Sequence, residues 1–343
     1  MTEIKGLATG IGSLPYEDAD AALDLIFRYT PQIPFWPQLP KRDKRESMIN
    51  QFSEGLPCLR LDNKGLAFDS SMQEQELTRF YERIIDNDIG YFEISPDFAA
   101  GLWQCFSRLR KADLNQIEFI KGQITGPFTF AASINDNEGI AILHNTVFIQ
   151  AVREGLVMKA RWQIDLFRKF GKPIIIFLDE PYLACFGSGF TSINRQQVIS
   201  GLTEFTEKLK SPEVLIGVHC CGNTDWSIFT EVPNIDIISF DAFHFLDRIL
   251  LYTNQILDFF KRGGILAWGI VPTDDFSPEI NADILTEKLN AGLELLRKKW
   301  IEDDLLKKRL ILTPSCGLGT LDSSKAEPIF KCLAELSSIL RAK

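Results

Sequence analysis

Residues 216–222 read I-G-V-H-C-C-G, an apolar run that ends in an imidazole and two thiols before a glycine. A buried parallel strand has this form when it presents ligands at its carboxyl edge. Successive side chains alternate across a strand, so His219 and Cys221 share one face and Cys220 takes the other. An imidazole nitrogen and a thiolate sulfur on one face suit zinc, which takes nitrogen and sulfur ligands in tetrahedral geometry. Two ligands do not complete a site. The remaining ones must come from other elements that end at the same place.

Apolar runs that end in polar or reactive groups recur at 7–13, 90–95, 119–125, 173–178, 214–220, 235–240, 264–270 and 309–315. Stretches with helical spacing follow them, the longest at 145–170, where Phe148, Ile149, Val152, Leu156, Ala160, Ile164 and Phe167 mark one face. Eight strands, each followed by a helical stretch, predict an α/β fold of the (β/α)8 TIM-barrel type. The expectation is a single domain over 1–343, with an insertion at about 30–70. Within that insertion, I-P-F-W-P-Q-L-P at 33–40 is too proline-rich for a central strand, because proline lacks the ladder donor. Residues 61–68 suit a short hairpin turning at Asp62-Asn63-Lys64-Gly65. An open doubly wound sheet is the competing fold, but no G-x-G-x-x-G or G-x-x-x-x-G-K supports nucleotide binding.

In a barrel the strand ends meet at one face, where function is built. Ser13, Glu93, Thr125, Asp179, Glu180, His219, Cys221, Asp241, Trp268 and Cys316 would gather there. Asp241 and Cys316 then offer the third and fourth ligands, making a candidate zinc set of His219, Cys221, Asp241 and Cys316. Asp241 suits the cap of a following helix equally well, and His244 is the reserve ligand. Cys220 is expected to pack behind its strand. Asp179 and Glu180 read either as substrate contacts, with Ser13, Glu93 and Trp268, or as acids favoured at a helix N-terminus. A thiol held by zinc is deprotonated at neutral pH and needs no separate base. The chemistry suggested is attack of a substrate thiolate on a carbon electrophile.

Bulk properties narrow the partners. A net charge of -9 disfavours nucleic acid or an anionic membrane as the main target. No charged-then-apolar leader opens the chain and no apolar run approaches membrane-spanning length. Seven scattered cysteines suit free thiols in a reducing cytoplasm. The expected partners are small molecules, a thiol substrate among them.

Five motifs in chain order carry a family resemblance: Ile11-Gly12-Ser13-Leu14-Pro15, Lys121-Gly122 with Thr125-Gly126-Pro127, Asp179-Glu180-Pro181, His219-x-Cys221, and Pro314-x-Cys316-Gly317-Leu318. Together they resemble the C-terminal catalytic domain of cobalamin-independent methionine synthase. That domain lies in the barrel superfamily that includes uroporphyrinogen decarboxylase and the corrinoid-linked zinc methyltransferases. The resemblance implies that His219, Cys221 and Cys316 are zinc ligands, and Asp241 stands where the family has a glutamate ligand. It implies that Ser13 contacts the amino-acid end of homocysteine and that Asp179 holds the substrate ammonium. Glu93 is the nearest candidate for a second substrate-binding carboxylate, although its local motif does not match. The implied activity is methylation of homocysteine to methionine. Two departures stand out. At 343 residues there is no room for the family's N-terminal, folate-binding barrel, so a corrinoid protein or another small donor suits this chain better. The 30–70 region also has no counterpart in the synthase pattern. The alternatives are a coenzyme M type, corrinoid-linked thiol methyltransferase and a uroporphyrinogen decarboxylase-like enzyme.

Overall fold

The computed structural model describes residues 4–62, 65–187, 193–299 and 301–342, without the side chains of 303, 304 and 307. Its strands are β1 (Leu7–Ala8), β2 (Leu59–Asp62), β3 (Gly65–Phe68), β4 (Ile120–Thr125), β5 (Ile174–Asp179), β6 (Val214–Cys220), β7 (Ile237–Phe240), β8 (Ile265–Val271) and β9 (Leu310–Pro314). Seven of them form one curled sheet in the order β1-β9-β8-β7-β6-β5-β4, and every pairing in it is parallel. The hairpin expected at 61–68 is the separate pair β2–β3, and its tip, Asn63 and Lys64, lies outside the described residues.

Burial on both faces explains why β5 reads I-I-I-F-L-D without alternation. Ile175 and Phe177 join Leu7, Phe119, Ile237, Ile265, Ala267 and Ile311 in a cluster on the concave side of the sheet. Ile174, Ile176 and Leu178 belong instead to the larger core that packs the sheet against the helices. The long helix Thr146–Arg168 covers β4 and β5 with its apolar stripe, and Asn145 caps it by accepting from the Val147 and Phe148 N–H groups. The helical stretch after β7 is divided into Ala242–Ile249 and Thr253–Lys261 by a 3-10 turn at Leu250–Tyr252.

The expected strand at 90–95 does not form, so the parallel sheet has seven strands among the described residues. Ile89–Phe92 is a 3-10 turn, capped by Asp88, which accepts from the Tyr91 N–H at 3.3 Å. Its continuation is bonded to side chains: the Ser95 N–H donates to Glu54 at 2.9 Å, and the Ile94 carbonyl accepts from the Trp103 indole at 2.8 Å. Residues 32–38 run between β1 and β4. On one side the Phe119 and Lys121 N–H groups donate to the Gln32 and Pro34 carbonyls; on the other the Gln38 N–H donates to Gly12 and the Leu14 N–H to Gln38. Single parallel bridges, Phe35 with Lys121 and Ser13 with Gln38, take the place of a ladder there. Ile33 enters the concave-side cluster. The prolines at 34 and 37 are tolerated because these contacts use the N–H of Gln38 and carbonyls elsewhere, never a donor that proline lacks. No helix of the described residues is long and apolar enough to cross a membrane.

Candidate metal and thiol site

The carboxyl ends of the strands bring His219, Cys221 and Cys316 together. Their Nε2 or Nδ1 and Sγ atoms lie within 4.8 Å of one another, the one such His/Cys/Asp/Glu group among the described residues. His219 comes from the end of β6, Cys221 follows β6 by one residue, and Cys316 follows β9 by two. The His219 ring is 3% exposed, and its Nδ1 lies 3.0 Å from the Ser239 hydroxyl on β7. Its Nε2 is buried without a hydrogen-bond partner. A buried unpaired ring nitrogen costs free energy unless something binds it. Ser239 can fix the tautomer by accepting from Nδ1–H, which leaves the Nε2 lone pair available as a ligand.

The two thiols are linked. Its neighbours Cys316 and His219 push Cys221 down to about 4, while the contact with Cys221, then burial, pushes Cys316 up. The pair thus favours a single thiolate, on Cys221. Cys220 is fully buried on the opposite face, where burial raises its thiol. The alternation read from the sequence holds for these neighbours.

A cavity of about 340 Å³ opens onto the three groups. It is lined also by Ser13, Gln38, Glu46, Met48, Asp179 and Gly319, among others, and by no lysine or arginine among the described residues. Asp179 is 5% exposed, and its Oδ1 has no hydrogen-bond partner. Burial pushes its carboxyl up to about 6, against the pull of His219 and Lys121. Lys121 is wholly buried; its ammonium donates to the Ile11 carbonyl at 2.6 Å and stands 4.5 Å from the centre of the Phe177 ring. Burial brings it down to about 7. Half-buried Ser13 accepts from the Gly319 N–H at 3.2 Å, which leaves its O–H proton free to donate.

Five expected site residues lie outside the cavity lining. Glu180 faces away from the cavity and clamps the helix Pro127–Ala132: its carboxylate accepts from the Phe128 N–H at 3.0 Å, the Thr129 N–H at 2.8 Å and the Thr129 hydroxyl at 2.7 Å. Orphan N–H groups at a helix start need such an acceptor. The glycine of T-G-P follows from this clamp, since a Cβ on Gly126 would lie 2.3 Å from the Glu180 carboxyl. Trp268 is 1% exposed and packs edge-on against Phe240 and over Gly292, on the helix side of β8. Glu93 is exposed and is not among the residues lining the cavity. Asp241 caps the helix Ala242–Ile249, accepting from the His244 N–H at 2.9 Å, and its other oxygen lies 2.7 Å from His244 Nδ1. Thr125 donates to the Met48 carbonyl, tying the 46–48 wall to β4.

Sequence reading did not find that wall. Glu46 is fully buried, with its carboxylate taking the Leu39 N–H at 3.2 Å, the Ala100 N–H at 3.3 Å and the Arg42 guanidinium. The signal was slight: a fully polar run at 41–47, which reads as a solvated face.

No family model and no curated protein matches the chain. Among solved structures it is similar to a candidate vitamin-B12-independent methionine synthase from Listeria monocytogenes, at 16% identity and a TM-score of 0.44. The match covers 65% of this chain and 64% of that protein. At that likeness the functional reading rests on the residues of the site.

Proposed function

We propose that the chain is a zinc-dependent S-methyltransferase of the methionine-synthase type, with homocysteine as the thiol that it methylates. One observation carries the reading: His219, with its buried Nε2 orphaned, lies with two thiol sulfurs in a group spanning no more than 4.8 Å, in a cavity that Asp179, with its Oδ1 unpartnered, also lines. This donor set fits zinc with three protein ligands, His219, Cys221 and Cys316, and catalytic zinc sites leave a position for a substrate. Bound there, zinc would supply a Lewis-acid centre that favours thiolate over thiol at neutral pH.

The chain's own residues would hold the substrate. Asp179 Oδ1 receives the ammonium of the amino acid, the Ser13 hydroxyl donates to its carboxylate, and the two together aim the side-chain sulfur at the His219–Cys221–Cys316 group. The sulfur, its proton already lost to solvent, then forms a bond to the methyl carbon as the donor's bond to that carbon breaks, and the donor leaves with the electron pair of the broken bond. A polycarboxylate such as a porphyrinogen suits the cavity poorly, since no described lysine or arginine lines it. We also read the architecture as a single irregular (β/α)8 barrel, with 32–38 in the place of the second strand; its hydrogen bonds to Gly12 and Leu14 beyond β1, and to Phe119 and Lys121 at β4, support this. The cytoplasm is the proposed compartment, in keeping with the free thiols.

The test is a methyl-transfer assay of the zinc-loaded protein, crossing homocysteine and coenzyme M with methyl-folate and methylcobalamin. Methionine formed from homocysteine, and lost at least a hundredfold in His219→Ala, is the expected result. Turnover of coenzyme M alone would transfer the site to the corrinoid-linked thiol methyltransferases. No methylation of either thiol would refute the reading.

A further inference from the structure

We infer that Asp241 is not a metal ligand: a metal at this site would be held by His219, Cys221 and Cys316, and Asp241 is a positioning residue. The inference rests on the zinc reading and deepens it. Asp241 ends the strand next to His219 in the position where a fourth ligand was expected, yet neither of its oxygens belongs to the cluster formed by His219, Cys221 and Cys316. Both are committed. One oxygen caps the helix Ala242–Ile249 through the His244 N–H; the other meets the His244 ring at 2.7 Å. Moving either oxygen into the cluster would disturb the cap or the contact with His244.

The alternative use of Asp241 is also visible. The second nitrogen of His244 lies 2.9 Å from Asp275 in the loop after β8. That loop begins at Thr273, whose N–H donates to the Ser315 hydroxyl at 3.2 Å, and Ser315 is the residue before Cys316. Asp241, His244 and Asp275 thus form a chain of charged contacts that braces the loop behind the Cys316 segment. A carboxylate one methylene shorter than glutamate, fixed by its own helix, serves this brace.

Asp241→Asn and Asp241→Ser both keep a good N-cap, so they remove the anionic ligand while sparing the helix. The measurement is zinc affinity by competition with a chromophoric chelator, with the visible spectrum of the cobalt-substituted protein as a second readout. We expect both variants to bind zinc within fivefold of the unaltered protein and to keep its cobalt spectrum, while His219→Ala, Cys221→Ser and Cys316→Ser each lose at least a hundredfold. A loss above fivefold in both Asp241 variants, with folding intact by circular dichroism, would overturn the inference but leave the zinc reading standing. Failure of the unaltered protein to bind zinc would overturn both.

Discussion

Glu180 shows how a residue beside the chemistry can be wholly structural. Its carboxylate collects three hydrogen bonds at the start of the helix Pro127–Ala132, and burial pushes it up to about 7. Glu180→Ala would strand two backbone N–H groups and a hydroxyl and open a cavity, so a loss of about 2–4 kcal/mol is expected in urea denaturation. Glu180→Gln, which still offers an acceptor, should lose less than half of that, with methyl transfer retained in both folded variants. An activity loss in Glu180→Gln without a stability loss would return this residue to the site. The same alternation that separates Cys221 from Cys220 separates Asp179 from Glu180, and it places Trp268 on the helix side. Strand parity was therefore legible in the sequence at three positions; only at the cysteines was it used. Asp241 was different, because a cap and a ligand ask for the same residue at the same strand end, and only the placement of His244 separates them.

At the scale of elements, the long apolar runs were the most legible. β5 and β6 fall where the sequence puts them, because burial on both faces leaves no other reading of I-I-I-F-L. The strand expected at 90–95 is absent, and the proline-bearing segment 32–38, which lacks a ladder, bonds to Gly12 and Leu14 on one side and to Phe119 and Lys121 on the other. The irregular wall at 46–48 follows from it and had no periodic signal. The loop brace makes a prediction at this scale. Burial pulls the His244 imidazole down, but its hydrogen bonds to Asp241 and Asp275 outweigh that and leave it above its ordinary 6.5. A histidine raised on folding stabilises fully below its unfolded pKa and loses that contribution as pH rises through its folded value. Stability should therefore fall as pH climbs from below about 6.5 through that raised value, more steeply than in His244→Gln. Denaturation midpoints across pH 5.5–9 check it, and parallel curves for the two proteins would contradict it.

At the scale of the whole molecule, one curled parallel sheet carries candidate site residues to one edge from the ends of β1, β5, β6 and β9. Ser13 lies beyond β1, Asp179 ends β5, His219 lies at the end of β6 with Cys221 just after it, and Cys316 follows β9. Residues as far apart in the chain as Ile11 and Thr320 thereby line one cavity of about 340 Å³. The central claim is that this convergence is a zinc site. Metal content of the protein purified without chelator, measured by mass spectrometry beside His219→Ala and Cys316→Ser, tests it most directly. The account predicts about one zinc per chain in the unaltered protein and almost none in either variant. An unaltered protein without zinc that also fails to take up added zinc, or variants that retain it, would contradict the account.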